Sequence, residues 1–222
     1  VSGRGAWPFY YEHGLDRRGD PQGRDAHGIY ALKAELVYGG WGFGIDPTLP
    51  FWGGAATKAT KSAQAALGIG SHGVLGPVTS RCLFRHRYAV AEAAAGLPPH
   101  ALARIGWVET DDDPVAQGYD TPLDEGIIQE NLPSNPGLTQ VQCWTPSIII
   151  PHGATQLRHR ITNCDGSLAA GTVSWNVGVA SANEWRLAGF PARGGPVIDP
   201  ETGETLYAHC TSYWAKIQAA PL

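Results

Sequence analysis

Four short stretches of the chain carry residue types suited to acid catalysis. The first, Glu109-Thr110, closes an apolar segment in which Leu102, Ile105 and Val108 recur at helical spacing. A carboxylic acid donates a proton near neutral pH only if its pKa is raised. A glutamate at such a helix end, with Trp107 and Val108 beside it in sequence, can lie against apolar surface and stay protonated. The second stretch is Gly126-Ile127-Ile128-Gln129, in which glycine admits close approach of a ligand to the backbone and Gln129 offers an amide. Ser174-Trp175-Asn176-Val177-Gly178 adds a second amide and an aromatic surface, and Glu204-Thr205-Leu206-Tyr207 adds a phenolic hydroxyl. On its own Glu109 reads as a solvated helix-end acid, the commoner case; the ordered set of four singles it out.

In this order the stretches resemble the soluble lytic transglycosylases and related lysozymes, over roughly residues 100–218. That family's pattern is Glu-Ser, then Gly-Leu-Met-Gln, then Ala-Tyr-Asn-x-Gly, then Glu-Thr-x-x-Tyr. The resemblance implies a lysozyme-like, α-rich catalytic domain that cleaves the MurNAc–GlcNAc β-1,4 bond of peptidoglycan. It implies Glu109 and Tyr207 as catalytic residues, the Tyr207 hydroxyl near Glu109, and Thr110, Gly126, Gln129, Trp175 and Asn176 as substrate contacts. The chain departs from the pattern with Thr110 for Ser, Ile127-Ile128 for Leu-Met and Trp175 for Tyr. In a lytic transglycosylase one Glu acts as acid and then as base, and the muramic acid 6-hydroxyl attacks internally, a step that gains from proximity. The alternative is a hydrolytic, goose-type muramidase, which needs a second carboxylate to activate water. Candidates are Asp111, Asp112, Asp113, Asp120, Asp124 and Glu125, although a run of acids reads by default as a solvated loop. The Glu-Thr-x-x-Tyr stretch favours transglycosylation.

The elements that must position these residues are mainly helical. Helices are expected over His27–Tyr38, residues 55–67 and Pro77–Ala95, ending at a break of Gly96, Pro98 and Pro99. The break divides the chain into 1–97 and 98–222, or else kinks a single compact unit. Beyond it, Ala101–Thr110 reads as a helix, 111–147 as loop-rich, 148–161 as strands or a β-hairpin around His152-Gly153, and Thr172–Ala182 and Glu204–Ala219 as helices. Residues 1–25 read as an irregular arm with an aromatic knot at Trp7, Phe9, Tyr10 and Tyr11.

Within the first part, Ile29, Leu32, Leu36, Phe51, Thr57, Ala59, Gln64, Leu67-Gly68-Ile69, Gly73-Val74-Leu75-Gly76-Pro77 and Thr79 resemble the small peptidoglycan-binding domain found beside many cell-wall hydrolases. Ala63 stands where that family has an aromatic and His72 where it has Asp. The expected fold is therefore mainly α: a small three-helix peptidoglycan-binding-like bundle followed by a lysozyme-like domain with a short β-hairpin.

Composition narrows the partners. The 222 residues carry a net charge of −4, which supplies no field for nucleic acid. No apolar run reaches membrane-spanning length. Eight tryptophans suit either sugar stacking or core packing. No HExxH spacing or CxxC pair marks a metal site, and no cofactor is expected. Cys82, Cys143, Cys164 and Cys210 are compatible with disulfides or free thiols alike. The expected partner is the peptidoglycan glycan strand, and the default oligomeric state a monomer. The N-terminal VSGRGAWPFYY lacks the shape of a secretion signal. The size and this feature suit a phage endolysin, made in the host cytoplasm and acting at the bacterial cell wall; secretion is the alternative. A reading from another class is a non-catalytic protein that grips glycan without cutting it.

Overall fold

The computed structural model describes residues 24–49, 51–117 and 124–221. Asp120 and the aromatic knot of residues 7–11 lie outside them. The described residues form a mainly α fold with two small antiparallel strand pairs. They divide into two compact units, Val1–Val90 with Glu109–Pro151 and Ala91–Val108 with His152–Leu222. The Gly96–Pro99 break falls inside the second.

The first unit holds α1 (Arg24–Tyr38), α2 (Gly54–Ala66) and most of α3 (Pro77–Ala94). Ile29, Leu32 and Leu36 of α1, Ala59 and Ala63 of α2 and Phe84 and Tyr88 of α3 are buried at the three-to-four residue spacing that gives a helix one apolar face. Gln64, fully buried on α2, fastens the turn that precedes α3. Its Oε1 accepts from Gly73 N (2.8 Å), and its Nε2 donates to Val74 O (2.8 Å) and Thr79 Oγ1 (3.0 Å). A buried amide so saturated is a structural brace. After α3 the unit resumes at Glu109 and includes a hairpin of β1 (Asp124–Glu125) and β2 (Glu130–Asn131), then the short α5 (Gln140–Cys143). The hairpin pairs Asp124 with Asn131 and Glu125 with Glu130.

The second unit holds most of α4 (Ala101–Thr110), the greater part of α6 (Pro146–Asn163), α7 (Leu168–Val177), α8 (Val179–Leu187), β3 (Val197–Asp199), β4 (Glu204–Thr205) and α9 (Leu206–Ala219). The buried Glu92 caps the start of α4 by accepting from His100 N, Leu102 N and Ala103 N at 2.7–3.0 Å.

Three sequence expectations need correction. Residues 148–161 are helix, not hairpin. The run Ile148–Ile150 has strand propensity, but burial of Ile150, Ala154, Leu157 and Ile161 follows a helical period, and packing of that face overrides propensity. The hairpin lies instead at 124–131, with a second strand pair at 197–205. The helix expected over 172–182 is two helices, because Gly178 takes φ +81° and ψ 159°, a region open only to glycine, and ends α7 there. Glu204 and Thr205 are strand rather than helix, so α9 begins just before Tyr207.

All four cysteines are free thiols, with Cys143, Cys164 and Cys210 buried. Among the described residues no helix is long and apolar enough to cross a membrane, and no cluster of His, Cys, Asp and Glu is arranged to hold a metal ion.

Candidate functional site

In the first unit the stretches Glu109-Thr110 and Gly126–Gln129 come together. Gly126–Gln129 is the four-residue tip of the hairpin, closed by Gln129 N donating to Gly126 O at 3.0 Å. The two isoleucines at the tip are fully buried and anchor it in the core, each contributing about 1.5–3 kcal/mol. Thr110 Oγ1 donates to Ile127 O at 2.8 Å and so joins the residue beside Glu109 to the hairpin tip. Glu109 itself is half-buried.

The backbone around this junction is unusual. Asp111, Asp112 and Gln129 have φ of +55°, +61° and +52°. Non-glycine residues seldom occupy the left-handed region, and such strain gathers at functional sites. Gln129 is half-buried, and its Nε2 donates to Gly126 O at 3.1 Å. Gly126 has φ +78°, and a Cβ there would collide with the Cys143 carbonyl oxygen, so a glycine is needed to admit the backbone of α5.

The acidic loop also differs from expectation, since Asp112 and Asp113 are buried and not solvated. Asp113 Oδ1 accepts from Val115 N at 3.0 Å. Asp112 Oδ1 accepts from Tyr88 Oη at 3.2 Å, while the Asp112 carbonyl accepts from Ser80 Oγ at 3.1 Å. Burial pushes the Asp112 carboxyl up to about 7, against the smaller opposing effects of Tyr88 and Arg81. Asp124 accepts from Asn131 Nδ2 across the hairpin (2.7 Å). Glu125 is fully buried, and its two oxygens accept from Gln117, Gln140 and the Trp144 indole at 2.6–3.0 Å. Asp112, Asp113 and Glu125 are thus engaged inside the fold. Burial, and then the hairpin carboxylates Glu130 and Glu125, push the Cys143 thiol up to about 12, far from a thiolate nucleophile.

In the second unit a different set assembles. Asn176, exposed in the last turn of α7, has its Oδ1 2.6 Å from His209 Nε2, and His209 Nδ1 lies 3.4 Å from Glu204 Oε2. Tyr207 Oη donates to Glu184 Oε1 at 3.2 Å; burial, and then this carboxylate, raise the phenol above its ordinary range. Trp175 has the Arg160 guanidinium 5.2 Å from its ring centroid, and Arg160 Nη1 also donates to Ser174 O at 2.7 Å. Sequence reasoning places Glu204 in the fourth stretch without a role of its own and gives none to His209 or Glu184. The spacing Glu204-x-x-Tyr207-x-His209 is a legible signal for the first two, and Glu184 had none. The unit also has a recess of about 50 Å³ bordered by Pro98, His100, Arg104 and Trp214, which holds none of the residues expected at the site. No protein-family model matches the chain, and a search of curated proteins finds no similar sequence.

Proposed function

We propose that this protein cleaves the glycan strands of bacterial peptidoglycan at the MurNAc–GlcNAc β-1,4 bond, with Glu109 as general acid and then base. The observation that carries the reading is the Thr110 Oγ1–Ile127 O hydrogen bond, which couples the Glu109 helix end to the Gly-Ile-Ile-Gln hairpin tip amid three left-handed non-glycine residues. Gln129, in the unit that holds Glu109, supplies an amide contact to the glycan; within the second unit Asn176, Trp175 and Tyr207 offer an amide, an aromatic ring and a hydroxyl for glycan contacts of that unit's own. The stretch from Ile29 to Leu83 contributes wall binding. The engagement of Asp112, Asp113 and Glu125 within the fold favours the single-acid route, in which the muramic acid 6-hydroxyl is the nucleophile.

The test is mass spectrometry of soluble fragments released from purified peptidoglycan. Transglycosylation gives 1,6-anhydro ends, lighter by one water than hydrolysed muropeptides. Reducing ends would instead mean a hydrolytic muramidase, and no release would mean a glycan-binding protein. Glu109→Gln is expected to lower fragment release by about 10²–10⁴-fold while leaving wall pull-down intact; undiminished release would remove Glu109 from its role.

A further inference from the structure

The proposed function treats Asn176 as a sugar-binding amide, and an amide has two opposite faces. One end donates and the other accepts, so its orientation decides what it can bind. Around Asn176 the structure supplies a means of fixing that orientation. His209, in the first turns of α9, points Nε2 at Asn176 Oδ1 (2.6 Å) and Nδ1 at the Glu204 carboxylate (3.4 Å). The three residues come from three elements, α7, α9 and β4. Hydrogen on Nε2 is donated to the Asn176 carbonyl, while the Glu204 carboxylate borders the other ring nitrogen and limits how the ring can turn. Gly178, in its glycine-only conformation, terminates α7 two residues later and leaves Asn176 exposed at the end of the helix.

Resting on the reading above, we infer that the Glu204–His209 pair is a positioning device that holds the Asn176 carbonyl and thereby turns its NH₂ outward as a hydrogen-bond donor. The matching ligand group is an uncharged acceptor, the acetamido carbonyl of an N-acetylated amino sugar. The pair thus makes the site selective for N-acetylated over deacetylated glycan.

Calorimetric binding of tri-N-acetylchitotriose and of its fully deacetylated counterpart tests this. The protein is expected to prefer the acetylated trimer. Asn176→Asp exchanges the outward donor for an acceptor and is expected to weaken the acetylated trimer about tenfold and favour the cationic one. His209→Gln keeps a donor and is expected to stay within a few fold. His209→Glu cannot donate to the carbonyl and is expected to shift the preference as Asn176→Asp does. A His209→Glu protein that folds and keeps the full acetyl preference overturns the positioning role. Nitrogen NMR of the unliganded protein reads the orientation without any sugar: hydrogen on His209 Nε2 is expected, and a bare Nε2 overturns the inference. If the unaltered protein binds neither trimer, the glycan reading falls and the acetyl selectivity with it, whereas the NMR result still decides how Asn176 is held.

Discussion

Asp112 shows how a charge run misleads when read as sequence. Three consecutive aspartates look like a solvated loop. In the fold, the turn after Thr110 passes through two left-handed residues and buries the middle aspartate against α3, where Tyr88 donates to its carboxyl and Ser80 to its main-chain carbonyl. Aspartate tolerates the left-handed conformation better than most residues, which is a reason for its presence here unrelated to charge. Its ionisation has a consequence for stability. The folded carboxyl titrates at about 7 and the reference value is 3.8, so the folded state holds the proton more tightly. Its contribution to stability is therefore full below pH 3.8, declines as pH rises and is gone above about 7. The decline is on the order of 4 kcal/mol of unfolding free energy. Asp112→Asn, which can still accept from Tyr88, is expected to abolish this decline and to raise the denaturation midpoint at pH 8 but not at pH 4. Urea titrations at the two pH values check it, and an unchanged pH profile would show that the carboxyl is not protonated in the fold. Glu109, by contrast, is singled out in the sequence by the apolar residues Trp107 and Val108 before it and by three other stretches in order after it.

At the scale of elements, the helices are readable where a periodic apolar face is present, as in α1 and α4, or where glycine or proline punctuates a breaker-free run, as in α2 and α3. Reading failed at α6, where three isoleucines between prolines imitate a strand, and at Gly178, whose conformation has no signature beyond the residue type. The hairpin was anticipated but misplaced, because its strands are only two residues long and its tip, Gly-Ile-Ile-Gln, is apolar where a turn is usually polar. The Gln64 brace makes a prediction at this scale. Gln64→Leu preserves volume but leaves the Gly73 N–H and the Val74 carbonyl without the side-chain partners they now have. The turn between α2 and α3 loses its anchor, at roughly 2–3 kcal/mol. A lower thermal midpoint is expected, with slowed hydrogen exchange lost first at residues 73–79. Equal midpoints would show that the turn is held by its glycines and helix start alone.

For the whole molecule, the Gly96–Pro99 break offers a natural place to cut the chain, yet each unit draws on two separate stretches. A fragment of residues 98–222 leaves behind Glu92, whose carboxylate receives three backbone N–H groups at the start of α4, and it carries 109–151 without the remainder of their unit. Such a fragment is expected to lack a cooperative thermal transition by circular dichroism, whereas a sharp melt would show that the latter part folds alone. The four cysteines bear on the molecule as a whole in another way. None is cross-linked, three are buried, and burial raises those three thiols, Cys143 to about 12 and Cys210 to about 11. Thiolate is the nucleophilic form that reacts with oxidants and attacks disulfides. The described fold therefore draws nothing from the redox potential of its surroundings: a reducing compartment has no bond to break in it, and an oxidising one meets only the half-buried Cys82.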